Sequence, residues 1–388
     1  MSRRVALLLF AVAWGTNHFV PLLLVYRASL ALTPFDLGIL FGVYAVGLLP
    51  GLLLGGPLSD RIGRRAVVLP ASVVALAGTA ILSFGGTGGF PVLLFGRLVV
   101  GLGSGATFSA GTAWVQDLAR DAAPGTGARR AAVALSSGFG GGPLVTGVLA
   151  QWLPSPMRLP YGVQAALLTA TIAATASVSR GAPSRAPARG PASPPMHRAP
   201  VFPPGFVREV LFVAPWVFVF PSVSFAVLPG LVREQVGPLR VVFAGLVTGL
   251  TLLSAVLIQP VLRPWMPRSA AAFGLAIGTA GLLFGAAAAA VARPIGVLLA
   301  APLLGLGYGG CLIAGLRFVE ANTTEATRGG LTGVFYAATY VGFASPLAIA
   351  AVAGRTGEVG GVLVAAALAA ATLAWTLVDE TLRQPREP

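Results

Sequence analysis

Charged side chains are scarce in this chain and make up only 10% of its 388 residues. Soluble globular domains carry about 25% charged residues. The chain also has a single cysteine and no lysine, because all 26 of its basic residues are arginine. Since Cys311 cannot form a disulfide within the chain, a disulfide-stapled secreted domain is excluded. Low charge combined with 56% hydrophobic residues also excludes a soluble enzyme and a disordered protein.

Apolar residues, glycine (51) and proline (31) are abundant instead, as in membrane helices. The mean hydropathy is +0.84. A membrane-spanning helix needs about 20 mostly apolar residues. The first apolar run follows Met1-Ser-Arg-Arg and is long enough to span, so we expect an uncleaved helix rather than a signal peptide. Prolines and glycines leave counts of ten or eleven open, but twelve segments have the required length: 5–26, 36–57, 66–85, 91–114, 130–152, 160–178, 210–232, 241–262, 269–291, 295–316, 329–352 and 359–378.

The distribution of arginine predicts the orientation in the membrane. With twelve spans and both termini inside, nineteen arginines lie in cytoplasmic loops and six in outer loops. We therefore expect an all-α, multi-pass protein of the cell inner membrane with both termini in the cytoplasm. The net charge of +14 is spread in small groups without an aromatic-lined basic face, so nucleic-acid binding is not expected.

A stretch rich in proline, alanine and arginine, 179–208, divides the spans into six and six. We interpret it as a cytoplasmic linker between an N-terminal half at 1–178 and a C-terminal half at 209–388. The halves also resemble each other. Gly101-Leu-Gly-Ser-Gly105 in span four matches Gly305-Leu-Gly-Tyr-Gly309 in span ten at an offset of 204 residues, which predicts an internal duplication.

The loop between spans two and three reads Gly56-Pro-Leu-Ser-Asp-Arg-Ile-Gly-Arg-Arg65. It resembles the signature loop of the major facilitator superfamily, G-x-L-x-D-R-x-G-R-R, at all seven specified positions and in the same place. The alternative interpretation is a basic loop that only stops translocation. With the spans, the linker and the repeat, the resemblance covers the whole chain. It implies twelve transmembrane helices in two pseudo-symmetric six-helix halves, and a secondary transporter rather than an enzyme.

The resemblance also implies a gate, since in the family this aspartate and the loop arginines latch the two halves on the inside. Asp60 would be the latch here. It could cap the start of span eleven, near Arg328–Leu331, in one state and release it in the next. Asp117 is the expected partner of Arg64. The predicted gate comprises Gly56, Leu58, Asp60, Arg61, Gly63, Arg64, Arg65 and Asp117, with the three loop arginines as cationic partners of Asp60.

Two further spans carry family-like motifs. Arg97 in span four precedes a small-residue run, as in the family's second motif, and we interpret it as facing the transport pathway. The alternative is an arginine that snorkels to the outer boundary. Span five contains Gly138-Phe-Gly-Gly-Gly-Pro-Leu-Val-Thr-Gly147, which resembles the family's antiporter motif with Thr146 in place of one glycine. The motif residues Gly138, Gly142, Pro143 and Gly147 favour an exporter; the alternative is generic glycine-mediated packing.

None of the acidic residues falls well inside a predicted span, which argues against ordinary carboxylate coupling. His18 is the candidate proton site, because histidine titrates near physiological pH and His18 lies at a depth comparable to that of Arg97. The alternative is a neutral histidine hydrogen-bonded in the bundle. Eight polar or aromatic residues within the spans are predicted to line a substrate cavity; the alternative is that they serve packing alone. They are Trp14, Asn17, Tyr44, Gln164, Trp216, Tyr308, Tyr336 and Tyr340.

A mostly apolar cavity with few fixed charges suits a neutral or lipophilic substrate. We therefore expect export of a small hydrophobic or drug-like molecule by alternating access, with uptake or exchange of a sugar, amino acid or other metabolite as the alternative. An intramembrane enzyme would need a catalytic set that the spans lack, and the gating loop argues against a scaffold or receptor without transport. No ATP-binding G-x-x-x-x-G-K-[ST] motif occurs. We expect no cofactor or metal, a monomer in the lipid bilayer, a small-molecule substrate, and protons as the candidate coupling ion.

Overall fold

The computed structural model describes residues 1–123, 125–178, 203, 205–323 and 325–383, and this part of the chain contains helices but no β-strand. A helix satisfies its own backbone hydrogen bonds, which hydrocarbon requires. The α-helices are α1 (Ser2–Asn17), α2 (Phe19–Ser29), α3 (Pro34–Ile62), α4 (Arg64–Ser83), α5 (Gly85–Asp117), α6 (Thr126–Trp152), α7 (Leu159–Ala176), α8 (Trp216–Ser222), α9 (Leu228–Leu231), α10 (Arg233–Val236), α11 (Arg240–Leu262), α12 (Pro267–Ala290), α13 (Pro294–Ala321), α14 (Glu325–Tyr340) and α15 (Ser345–Arg383).

The seventh predicted span, 210–232, is the least regular. It is built from α8 and α9, with π-helical turns at Val207–Leu211 and Val223–Val227. Three prolines, at positions 215, 221 and 229, lie in or beside this stretch. Each proline removes one backbone donor, so the regular hydrogen-bond pattern is interrupted. Short 3₁₀ turns also occur at Gly237–Leu239 and Val341–Ala344.

Ten helical runs of the described chain are long and apolar enough to cross a membrane. One of them, Leu331–Val378, has 48 residues, which at 1.5 Å per residue is about twice the thickness of the hydrocarbon core. Gly357 breaks this run with a φ of 72°, between the predicted spans 329–352 and 359–378. The shorter apolar helix Trp216–Leu231 occupies the seventh predicted span. The described chain therefore contains the twelve predicted segments, and the prediction of an all-α membrane protein is confirmed.

The chain divides into two compact units. The first comprises Met1–Gly190 and Pro238–Gly249, and the second comprises Pro191–Gly237 and Leu250–Pro388. Pro238–Gly249, at the start of α11, groups with the first unit because it packs on α6. The predicted linker lies largely outside the described residues, so the division into 1–178, 179–208 and 209–388 stays a prediction.

The core of the first unit is built around α1. Its Val5, Leu8, Leu9 and Val12 are all at most 1% exposed. They belong to one hydrophobic cluster with side chains from α4, α5, α6 and α7. A helix that is apolar on every side lies among other helices or in the hydrocarbon of a membrane. This explains why α1 has few polar side chains along its length.

The glycine run of α5 packs in the same way as its counterpart in α13. A Cβ atom on Gly101 would collide with the backbone of α3 near Tyr44, and one on Gly103 with α4 near Ala75. In the second unit, a Cβ on Gly305 would collide with α11 near Thr251, and one on Gly307 with α12 near Gly278. Spans four and ten therefore approach the second and third helices of their own half at equivalent glycines, as expected for a duplication.

Candidate functional site

The signature loop joins α3 to α4 through one residue, Gly63. Helix α3 begins with a capping box, in which the Asp36 N–H donates to Thr33 Oγ1 (3.2 Å) and the Thr33 N–H donates to the Asp36 carboxylate (2.9 Å). The helix ends where Gly63 adopts a φ of 98°, which costs glycine little because it has no Cβ. Since α4 starts immediately at Arg64, this arginine and Asp60 lie close together across the bend.

Arg64 is the centre of an ion-pair network at this end of the first unit. Its Nη1 lies 2.5 Å from Asp60 Oδ1, and its Nε donates to Asp117 Oδ2 at 3.2 Å. Nη1 also donates to Ser59 Oγ at 2.6 Å, while Asp117 Oδ1 accepts from Arg120 at 2.7 Å. The Asp60 side chain is 49% exposed, whereas those of Arg64 and Asp117 are 20% and 22% exposed. Asp60 is thus the most accessible member of the Asp60–Arg64–Asp117 network.

Arg65, predicted as a cationic partner of Asp60, binds backbone carbonyls at the end of another helix. Its guanidinium donates to the carbonyls of Ala176 (2.7 Å) and Val178 (3.1 Å), at the end of α7. The last carbonyls of a helix have no partner within the helix and carry partial negative charge, so a cation binds well there. Arg65 therefore joins α4 to α7, while Arg64 binds the aspartates.

The remaining positions of the predicted gate are structural or exposed. A Cβ on Gly56 would come to 2.8 Å from Ser109 Oγ of α5, so glycine allows α3 and α5 to approach closely. Leu58 and Arg61 are exposed. The proposed counterpart of Asp60, the start of span eleven at Arg328–Leu331, belongs to the second unit, and its capping by Asp60 stays a prediction.

Arg97 of α5 is enclosed within the first unit and is 1% exposed. Its guanidinium carbon lies 4.5 Å from the centroid of the Phe19 ring and 4.4 Å from that of Tyr44. Nε donates to the carbonyl of Leu40 and Nη1 to that of Thr16, both at 3.3 Å. Aromatic faces attract a desolvated cation, by about 2 kcal/mol in favourable cases. The guanidinium is enclosed by protein, no described acidic residue pairs with it, and its orientation toward the transport pathway stays a prediction.

His18 lies next to this cluster, at a break between α1 and α2. Pro21 has no N–H to donate to the carbonyl of Asn17, so the helix is interrupted at His18. The imidazole is fully buried, and its ring centroid lies 5.0 Å from that of Tyr161 in an edge-on arrangement. The Tyr161 hydroxyl is 2.6 Å from the hydroxyl of Tyr26. Neither ring nitrogen of His18 has a hydrogen-bond partner among the described residues.

The glycine-proline motif of α6 makes two close helix contacts inside the first unit. On one side, a Cβ on Gly138 or Gly142 would collide with the backbone of α1 near Trp14. On the other side, a Cβ on Gly147 would come within 3.3 Å of the first turns of α11, and one on Gly245 would lie 2.7 Å from the carbonyl oxygen of Pro143. The motif therefore packs α6 tightly between α1 and the start of α11.

The residues predicted to line a cavity in the first unit have different environments. Tyr44 is 1% exposed, its ring faces Arg97, and its hydroxyl lies 3.1 Å from Thr16 Oγ1. Trp14 and Asn17 are half-buried. Tyr44 therefore belongs to the enclosed arginine cluster, and only the other two have substantial exposed surface.

In the second unit, four half-buried aromatic residues form a cluster around Phe218 of α8. The Phe218 ring centroid lies 5.9 Å from Tyr308, 5.0 Å from Tyr340 and 4.5 Å from Phe343. Tyr336 is 36% exposed and contacts Phe335 instead. The sequence therefore predicted two of the four members, and missed Phe218 and Phe343. The spacing of Phe343, three residues after Tyr340, was the only available signal.

The family model described as Major Facilitator Superfamily matches residues 5–233 of this chain. The bacillibactin exporter of Bacillus subtilis (strain 168) is 28% identical over 143 residues, 36% of this chain and 36% of the exporter. The 3-(3-hydroxy-phenyl)propionate transporter of Escherichia coli (strain K12) is 41% identical over 78 residues, 20% of this chain and 19% of that protein. The quinolone resistance protein NorA of Staphylococcus aureus is 24% identical over 159 residues, 41% and 40% of the two chains. The matches thus span less than half the length of these curated relatives.

Two solved structures share the fold over nearly the whole chain. The nucleoside transporter NupG has a TM-score of 0.73 at 12% identity, and the match covers 97% of each chain. A POT family transporter in complex with a thioalcohol-conjugated peptide has a TM-score of 0.76 at 12% identity, covering 98% of this chain and 94% of that one. At this identity the likeness concerns the fold alone.

Proposed function

This chain belongs to the major facilitator superfamily, and we propose that it exports a small hydrophobic or drug-like molecule by alternating access. The observation that carries the export direction is the antiporter-like motif of α6, whose glycines also hold this helix against α1 and the start of α11. Two relatives, the bacillibactin exporter and the quinolone resistance protein NorA, support the same direction by their names. The fold and the family make the chain a multi-pass membrane transporter of a small molecule.

The gate acts through the Asp60–Arg64–Asp117 network. Asp117 and Ser59 hold the Arg64 guanidinium, so Asp60 can leave without removing the last partner of the arginine. The Asp60 carboxylate is half exposed, and ion pairs of exposed groups contribute only about 0–1 kcal/mol. A weak contact of this kind breaks and re-forms easily, which suits a latch that closes once in each transport cycle.

Proton coupling uses His18, the ionisable imidazole beside the Arg97 cluster. Because His18 is fully buried, proton exchange requires a conformation that admits water between α1 and α7. Neither ring nitrogen has a partner among the described residues, so once water enters one nitrogen can accept a proton or a hydrogen bond and the other can donate its N–H. Arg97 supplies a fixed positive charge in the same cluster.

The substrate contacts the half-buried aromatic cluster around Phe218 in the second unit. Its rings present apolar faces and two tyrosine hydroxyls, from Tyr308 and Tyr340, and such a surface suits an apolar or aromatic molecule. The protein acts as a monomer in the inner membrane, with both termini in the cytoplasm as the arginine distribution predicts.

Uptake of a small metabolite is the second candidate. One observation favours it: the stretch of 41% identity is shared with a protein named as a 3-(3-hydroxy-phenyl)propionate transporter rather than as an exporter. A substrate that accumulates inside intact cells expressing this protein would establish the uptake direction.

The test of export uses everted membrane vesicles, in which the cytoplasmic face points outward. An acid interior is imposed, and a pH-sensitive fluorescent dye follows the gradient while lipophilic cations, neutral drugs, sugars and amino acids are added in turn. Export by proton antiport predicts that one of these substrate classes dissipates the pH gradient in vesicles that contain the wild type. The exposed control variant Asp121→Asn should behave in the same way, whereas Asp60→Asn should dissipate the gradient more slowly. Accumulation of labelled substrate in right-side-out vesicles, with none in everted ones, would contradict export.

A further inference from the structure

A cavity of about 480 Å³ lies between α1 and α6 at the arginine-rich end of the first unit. One face of each helix lines it at helical spacing. The two faces share a pattern, with arginine at the helix start and apolar or small residues beyond it. The lining includes Arg3, Leu7 and Phe10 of α1 and Arg129, Arg130, Val133 and Ala134 of α6.

The cavity, here called the wedge, begins beside a close contact between α1 and α6. At Gly138 the two helices touch, since a Cβ there would collide with the carbonyl oxygen of Phe10. Toward the helix starts the lining includes Val133 of α6 and Leu7 of α1, whose side chains are 60% and 55% exposed. The wedge therefore extends from Phe10, beside this contact, to the arginines at the helix starts.

The charges at the mouth are not neutralised by the described protein. Arg130 donates to Ser2 Oγ at 2.6 Å, a neutral partner. Neither Arg3 nor Arg129 forms an ion pair with a described acidic residue, and no described lining residue is acidic. Of the aspartates at this end of the unit, Asp60 and Asp117 are bound by Arg64, Asp117 also by Arg120, and Asp121 is exposed. Three cations thus edge an apolar wedge without a counter-ion.

We propose that this wedge binds an amphipathic anion, with a carboxylate or phosphate between Arg3, Arg129 and Arg130 and an apolar body along Leu7, Phe10 and Val133. Guanidinium groups bind these oxyanions through paired N–H donors. The volume falls within the range of about 300–1,000 Å³ that small-molecule sites occupy. Two sources can supply this chemistry: a soluble organic anion, including a transported one, and the headgroup of an anionic phospholipid.

The test is equilibrium binding of radiolabelled 4-butylbenzoate to the full-length protein in nanodiscs of phosphatidylcholine, with empty nanodiscs subtracted. The double variant Arg3→Gln/Arg129→Gln should bind about tenfold more weakly or worse, since hydrogen bonds to charged groups are lost. The matched control is Arg4→Gln, because Arg4 is the neighbour of Arg3 on α1 but donates to Ser177 and does not line the cavity. It should bind like the wild type.

Two further measurements separate the contributions of charge and shape. Unlabelled 4-butylbenzamide, a neutral isostere, should not compete, because the arginines would have no anion to bind. Ala134→Phe should fill the apolar wall and abolish binding while leaving the three arginines in place. Equal binding by the wild type, the double variant and Ala134→Phe, or competition by the amide, would overturn the proposal. Each variant is first checked by gel filtration and thermal unfolding, so that lost binding reports the site.

Nanodiscs that contain phosphatidylglycerol then distinguish the two sources. If the lipid headgroup occupies the wedge, the affinity of the wild type for 4-butylbenzoate falls as the phosphatidylglycerol fraction rises. The titration is run at about 0.5 M salt, which shortens the range of the lipid surface charge to a few ångströms, so that the affinity stays unchanged if a soluble anion is the occupant. Both outcomes support an anion site and differ only in its ligand. Because binding is measured without turnover, its result is independent of whether export is demonstrated.

Discussion

Replacing Gly142 by alanine should destabilise this protein, whereas the same change two residues earlier, at Gly140, should not. Both glycines lie inside α6 and in the same motif. A Cβ on Gly142 would lie 2.5 Å from the carbonyl oxygen of Trp14 and 3.1 Å from its Cα. A Cβ on Gly140 would meet no described atom within 4 Å. The pair therefore tests whether close packing of α6 on α1 depends on the absence of a single methyl group.

The expected difference in stability between the two variants follows from the space that each alanine would need. The Trp14 atoms belong to the backbone of α1 and cannot rotate away, so the whole helix must shift before the contact reaches an ordinary distance. Overpacking of this kind costs about 1–3 kcal/mol, while alanine in place of glycine gains up to about 1 kcal/mol in helix propensity. The propensity gain is common to both variants and cancels in their difference. We expect Gly142→Ala to be less stable than Gly140→Ala by about 1–3 kcal/mol.

The assay is unfolding of the purified protein in detergent micelles, with sodium dodecyl sulfate as the denaturant and far-ultraviolet circular dichroism as the signal. The wild type, both single variants and the double variant are compared at one protein concentration. The reasoning would be refuted by equal midpoints for the two single variants, or by a lower midpoint for Gly140→Ala. No substrate is needed, so the result concerns the packing of α6 alone.

Three other predictions concern the gate and the coupling site. Asp60→Asn should slow turnover severalfold and change the free energy of unfolding by less than about 1 kcal/mol, because the lost ion pair is half exposed. Asp121 is an exposed aspartate, so the control variant Asp121→Asn should leave turnover unchanged. Equal rates for the two variants would argue against a latch. His18→Gln should flatten the pH dependence of transport, whereas His197→Gln should keep it; an unaltered profile for the first variant would remove His18 as the proton site. Gly63→Ala should lower the free energy of unfolding by about 1–3 kcal/mol, because Gly63 has φ 98° and ψ 145°, a backbone conformation that residues with a Cβ rarely adopt. An unchanged unfolding midpoint would show that the bend tolerates a side chain.

Local sequence patterns were sufficient to predict the helices, because each span depends mainly on its own composition. Hydrocarbon cannot hydrogen-bond to the backbone, so a run of about 20 apolar residues has one stable conformation. This is why the segments from 5–26 onward were predictable without knowledge of their neighbours. The repeat of Gly101 at Gly305 also predicted a duplication from the sequence, and both glycines make equivalent contacts in their own units.

The contacts of individual polar residues were predicted less well. Arg64 and Asp117, 53 residues apart, form a pair that the family resemblance suggested, and their side chains do meet. Arg65 was expected beside Asp60 but binds carbonyls at the end of α7, more than a hundred residues away. Spacing along one helix cannot reveal a partner on another helix whose position depends on the packing of the whole unit.

Sequence alone thus determined that this is a helical membrane protein with a major facilitator signature loop, because hydropathy and a contiguous motif are local properties. Tertiary structure decided that Arg97 is enclosed between two aromatic rings and that Phe218 contacts both Tyr308 and Tyr340. It also decided that arginines of α1 and α6 line one cavity. These features combine side chains from separate helices. Their geometry depends on interhelical distances of a few ångströms, which glycine contacts set and no single segment encodes.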